Sequence, residues 1–119
     1  AQAMVWVGEC WQRALTSLGV DGQVHRGALE RDEWSSRVCW TSVGTGELMA
    51  GERKLVGVSQ RRTRAYARFQ SQVHLRWRPE LVAALTSAPR PSATSIARAA
   101  ATVPCPAEAV MTAFVAHLP

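Results

Sequence analysis

Lysine is almost missing from this chain: thirteen of its fourteen basic residues are arginine, and Lys54 is the only lysine. Positions that accept any cation have gone to arginine, so position 54 asks for a reason of its own. No apolar run approaches the roughly 20 residues needed to cross a bilayer, which excludes a membrane-spanning helix. The sequence does not open with a cationic stretch followed by an apolar one, so nothing in it reads as a secretory signal. Three cysteines, Cys10, Cys39 and Cys105, lie far apart with no CxxC pair. Their odd number and wide spacing argue against a disulfide framework, and with the three histidines they make no set of four ligands. The thiols therefore read as small buried hydrophobes in a reducing cytoplasm, and no metal is expected. There is no internal repeat.

What is present suits one domain. A chain of 119 residues with 47% apolar and 19% charged residues can bury one modest core and is too short for two ordinary ones. Residues 3–18 place Ala3, Val7, Trp11, Ala14 and Leu18 at helical spacing, and the pattern stops at Gly19, which predicts an amphipathic helix with a glycine past its end. A turn at Asp21-Gly22 leads to a short extended piece from Val24. Residues 36–43, SRVCWTSV, are rich in β-branched and aromatic side chains on both alternating faces, and predict a strand covered on both sides. KLVGVSQ predicts a second strand. Residues 68–77 predict a third, with Phe69, Ser71, Val73, Leu75 and Trp77 alternating against Arg68, Gln70, Gln72, His74 and Arg76. The last two pair most simply as an antiparallel hairpin with a basic connection. From Arg78 the pattern becomes helical, ending in a stripe of Ala107, Val110, Met111, Phe114 and Leu118. The expectation is a single α+β domain over 1–119, with a helix and a mixed, mainly antiparallel sheet in 1–78 and a helical part in 79–119.

On the KLVGVSQ strand, strict alternation puts Lys54, Val56, Val58 and Gln60 on one face and Leu55, Gly57 and Ser59 on the other. A glycine inside a strand costs stability and marks close approach of a ligand or another backbone. A lysine three residues earlier offers a compact ammonium, which suits a single phosphate or carbonyl oxygen better than the broad guanidinium fork of arginine. Lys54 also admits the plainer role of a charge decorating a hairpin end. The histidines, on separate segments, make no catalytic dyad, and His74 is expected to face solvent or a polar partner. The five tryptophans read as core and rim packing.

The run GERKLVGVSQRRTRAYARFQSQVHLRW resembles the central strand pair of the superfamily of lipoate-protein ligases, octanoyltransferases and biotin-protein ligases, whose pattern is a small turn, G-x-K-h-x-G-h-s, a basic stretch and a returning strand. AMVWVGECWQRALTSLGV, VHRG and VCWTSVGTGEL resemble the lead-in of an actinobacterial-looking branch of lipoate-protein ligase-like proteins. The resemblance implies part of the class II biotin/lipoyl ligase catalytic fold. It implies ATP with Mg and lipoate or octanoate as substrates, no tightly bound cofactor, and as partner a lipoyl carrier domain of 2-oxoacid dehydrogenase or glycine cleavage proteins. Lys54 becomes the catalytic residue, meeting the acid carboxylate and then the adenylate oxygens, with Gly46, Gly57, Val58 and Ser59 binding substrate. The cysteine that serves the octanoyltransferase branch has no matching context at Cys39 or Cys105.

The family's R-R-x-[ST]-G-G-type segment is not among these residues and by family order lies before Ala1. With no initiator Met, the expectation is a ligase domain lacking the N-terminal half of its site, which a partner or self-association would complete. A rival reading takes QRRTRAYARFQ as a nucleic-acid contact, with Arg61, Arg62, Arg64 and Arg68 on phosphates and Tyr66 and Phe69 stacking on bases. A third takes the chain as a non-catalytic interaction domain with an open sheet edge.

Overall fold

The computed structural model describes residues 2–119 as an α+β fold. Helix α1 (Gln2–Ser17) is followed by strands β1 (Gln23–Val24), β2 (Leu48–Ala50), β3 (Arg53–Arg62) and β4 (Ala67–Val73), then by helices α2 (Pro79–Leu85), α3 (Ala93–Ile96) and α4 (Ala107–Ala116). The four strands form one sheet in chain order, and each neighbouring pair is antiparallel. No helix is long and apolar enough to cross a membrane among the described residues.

Helix α1 ends where its sequence says it should. Gly19 donates its N–H to the Thr16 carbonyl at 3.0 Å and Val20 donates to Leu15 at 2.9 Å, the paired bonds that satisfy carbonyls left open at a helix C-terminus. Its buried stripe of Val7, Trp11, Ala14 and Leu15 lies on one face of the sheet. Leu48, Leu55, Val56 and Val58 come up from the strands to meet Val7, Trp11 and Leu15, and Val103 and Val110 close the cluster. Helix α4 packs on α1, with Phe114 stacked on Trp11 at 4.0 Å between ring centroids.

Leu55 and Val56 are neighbours in sequence, yet both enter this core. The reason is a bulge. Leu48 pairs with Val56 while Met49 pairs with Lys54, so Leu55 is an extra residue on β3, and such an insertion breaks the alternation of faces. Strict alternation therefore gives the wrong face for Lys54. It lies with Gly57 on the side opposite the core, where both meet Trp40. The bulge is fixed by the C-terminal segment: the Lys54 N–H donates to Ala99 at 3.0 Å, and Ala101 donates to the Lys54 carbonyl at 2.9 Å. This parallel bridge extends the sheet beyond the end of β4. Residues 97–105 are thus not helical, and the predicted helical part of 79–119 is broken by an extended connection.

Residues 36–43 are not a strand. They form turns, a 3-10 turn at Cys39–Thr41 and one isolated bridge from Val43 to Glu30. The Asp32 carboxylate gathers this loop by accepting from the Thr41 hydroxyl at 2.7 Å, the Ser35 hydroxyl at 2.9 Å and the Trp34 N–H at 2.9 Å. Burial raises the Asp32 pKa, but these bonds outweigh it and hold the carboxyl below its ordinary value. The apolar residues of the segment mark packing: Val38 and Trp40 join Ala100 in a second, smaller cluster, backed by Trp77 and Val82.

Candidate functional site

Trp40 roofs the central strand because Gly57 leaves room for it. A β-carbon at position 57 would lie 2.7 Å from Cζ3 of the indole, so any side chain there would push the ring away. The close approach expected at Gly57 is made by a tryptophan of the same chain. A groove of about 560 Å³ opens beside this contact, a volume in the range of small-molecule sites. Lys54, Gly57, Val58 and Ser59 all line it, together with Trp40 and, from β4, Gln70. The side chain of Val58 belongs to the core on the other face.

Gly46 is brought elsewhere. It has a φ of +88°, a left-handed conformation that suits glycine, and a β-carbon there would collide with the Met4 carbonyl of α1. Gly8 on the same helix abuts the Gly46 carbonyl in turn. These two glycines let α1 press on the loop before β2, and Gly44 is the loop glycine that reaches the groove. Gly46, expected as a substrate contact, does not line the groove and packs against α1 instead.

The residue that sequence reasoning missed is Glu47. It is 7% exposed and organises the groove floor. One carboxylate oxygen accepts from the Lys54 ammonium at 2.8 Å and from the Gly44 N–H at 2.7 Å, and the other accepts from the Val58 N–H at 3.1 Å. Extending the Leu48–Val56 pairing by one step places position 47 opposite Gly57, a register set by the bulge at Leu55 and so not readable from the hairpin sequence. Glu47 thus stands in for a strand residue: its side chain takes the Val58 donor that β2 would otherwise satisfy, and fixes the lysine with its second oxygen.

Lys54 is 2% exposed, so it does not decorate an edge. Besides Glu47 its ammonium faces the Cys39 carbonyl at 3.4 Å and the Trp40 ring at 5.1 Å from the centroid. A buried ammonium needs such compensation. Its carboxylate partner is close and firm, while the carbonyl is at the limit of a hydrogen bond. That weaker contact is the one an incoming anionic oxygen in the groove could replace without breaking the ion pair.

Of the two settings expected for His74, solvent or a polar partner, the structure has the second. The imidazole is half-buried, edge-on to Trp40 at 4.4 Å and to Trp77 at 5.0 Å, and Gln72 lies 3.2 Å from its Nε2. Burial lowers its pKa below the ordinary imidazole value, partly offset by a backbone hydrogen bond at Arg76. The three cysteines are free thiols, but only Cys10 is buried as expected; Cys39 is exposed and Cys105 half-buried. No group of three or more His, Cys, Asp or Glu side chains is placed to hold a metal ion among the described residues.

No family model, curated protein or solved structure matches this chain.

Proposed function

We propose that this chain carries the lysine wall of an acyl-transfer site of the lipoate-protein ligase kind, and that its sheet is the corresponding part of the class II biotin/lipoyl ligase fold. The observation that carries the reading is the buried Lys54 ammonium, pinned by Glu47 on the floor of a groove whose central strand is bare at Gly57. The setting is cytoplasmic, with ATP, Mg²⁺ and lipoate or octanoate as substrates and a lipoyl carrier domain as acceptor.

In the first step of this reaction a carboxylate oxygen of the acid attacks the α-phosphorus of ATP and pyrophosphate leaves. In the second, the acceptor lysine nitrogen attacks the acyl carbon, the bond from that carbon to the adenylate oxygen breaks, AMP leaves and the nitrogen loses a proton. Lys54 acts on the oxygens. Its ammonium offsets the acid's charge when it binds, then the negative charge that grows on the carbonyl and departing phosphate oxygens. Glu47 is the positioning residue that aims it. Mg²⁺ supplies charge neutralisation on the nucleotide phosphates when bound. The acyl chain lies beside the Trp40 ring that covers Gly57, toward Ser59 and Gln70.

The test is transfer from synthetic octanoyl-adenylate to an apo lipoyl domain, read as the mass gain of the domain above spontaneous acylation. The wild-type chain accelerates transfer. The pair Lys54→Met with Glu47→Gln, which leaves no unpaired buried charge, keeps the fold and loses about 10²- to 10³-fold, the range for removing one such donor. Equal rates for both proteins would refute the role of Lys54.

A further inference from the structure

Strands β3 and β4 outrun the rest of the molecule. From Ser59 through Arg68 nearly every residue is exposed, because β2 begins only at Leu48, opposite Val56, and only the first turns of α1 come near, beside Gln60 and Arg62. The result is a two-stranded ribbon, an element with little stability of its own in water. Its tip is nevertheless built. Thr63 donates its N–H to the Tyr66 carbonyl at 2.8 Å, and its hydroxyl accepts from Ala65 and Tyr66 at 3.2 and 3.1 Å.

The charge on this ribbon is one-sided. No acidic residue lies between Glu52 and Glu80, while eight basic ones do. Arg61 and Arg68 are directly opposite one another across the ribbon, and like charges in that arrangement destabilise a strand pair. No ion pair relieves them: none of the ion pairs among the described residues includes a ribbon arginine. A destabilising pair on an ordered arm is explained if an anionic surface comes to it.

Register tells where that surface would sit. Ser59 pairs with Gln70 and Arg61 with Arg68, so the arginine pair lies two residues beyond the groove wall, roughly 7 Å along and on the same face. A partner seated on the arginines faces the groove mouth. One small anion would use one arginine fork. Arg62 and Arg64 widen the patch around the tip, which fits a protein face with several carboxylates. Tyr66 is a lone exposed ring at the tip, a thin stacking platform for nucleic acid, which leans on successive rings.

We propose that the β3–β4 ribbon is the docking arm for the acyl acceptor, and that Arg61 and Arg68 engage an acidic face of that carrier protein so that its lysine is presented at the groove. This rests on the acyl-transfer reading. Docking is measured without acyl chemistry, as binding of the full chain to an apo lipoyl domain across a salt series. Binding is expected to weaken with salt, and Arg61→Gln with Arg68→Gln to weaken it at least about tenfold. The same variant is expected to melt no lower than wild type, because the repulsion is gone. Reversing both charges, Arg61→Glu with Arg68→Glu, is expected to recover binding to a lipoyl domain whose surface acids are changed to arginine. Undiminished binding by the glutamine variant overturns the proposal, as does displacement of the lipoyl domain by a twenty-nucleotide single strand at lower concentration than unlabelled lipoyl domain needs. Failure of the groove reading looks different: octanoyl-adenylate transfer is then absent while the arginine-dependent docking remains.

Discussion

At the scale of single residues, the groove depends on one buried ion pair and one missing side chain. Removing either partner of a buried pair leaves a charge in a poor dielectric, which typically costs about 3–5 kcal/mol, whereas replacing both with neutral groups of similar volume can be close to neutral. Glu47→Gln is therefore expected to lower unfolding free energy by that amount. Adding Lys54→Met should recover most of it, a non-additivity readable from denaturant melts of the two single variants and the double. Additive losses would mean that the 2.8 Å contact is not what fixes the pair. Gly57→Ala tests the other half. The new methyl would meet the rigid Trp40 ring at 2.7 Å, and overpacking of this kind costs about 1–3 kcal/mol. The expected outcome is a loss of that size with a shift in tryptophan emission; wild-type emission and stability would show that the ring has room to spare.

At the scale of elements, β3 is two things in one strand. Its first half contributes Leu55, Val56 and Val58 to the core, while its second half is one rail of an exposed ribbon. Local opening is cheap where little apolar surface is uncovered. Amide exchange is thus expected to be slow at Val56 and Val58 and to quicken past Ser59, with the boundary inside a continuous strand. Uniform protection to Arg62 would reveal a cover on the ribbon, such as a second copy. The same contrast explains what could be read from the residues. The α1 stripe and its glycine stop were legible because period and cap are local, and the alternation of β4 was legible as far as Val73 because Phe69 and Val73 pack on the core; the strand expected to run to Trp77 stops there, and Trp77 joins the cluster on the other face. Residues 36–43 misled because β-branched and aromatic side chains record burial as much as extension: Trp40 is buried on a 3-10 turn. The face of Lys54 was hidden because the bulge at Leu55 is held by hydrogen bonds to Ala99 and Ala101, about 45 residues away along the chain, and no local pattern carries such a partner.

At the scale of the whole molecule, two clusters on opposite faces of one sheet must hold together, and the smaller is sensitive to pH. His74 wedges between Trp40 and Trp77 and ties the end of β4 to the loop that roofs the groove. Its folded-state pKa lies below the ordinary 6.5, chiefly through burial, so the unfolded chain takes up this proton first. Stability rises with pH wherever the unfolded state binds more protons. The His74 contribution is therefore complete above 6.5, is lost progressively as pH falls toward the folded value, and changes no further below it. Asp32 adds a second step in the same direction. Its carboxyl is held below 3.8 by the Thr41 and Ser35 hydroxyls and the Trp34 and Ser35 N–H groups, so its contribution is present above 3.8 and is lost as pH drops through the folded value. Melting temperature is thus expected to be flat from neutral pH down to 6.5, to fall, and to fall again below 3.8. His74→Phe, which keeps an aromatic wedge without a proton to gain, should flatten the first step and leave the second. Asp32→Asn should remove the second and leave the first. If His74→Phe keeps the full decline that begins at 6.5, the imidazole is not its source, and the aromatic wedge stabilises the roof of the groove by packing alone.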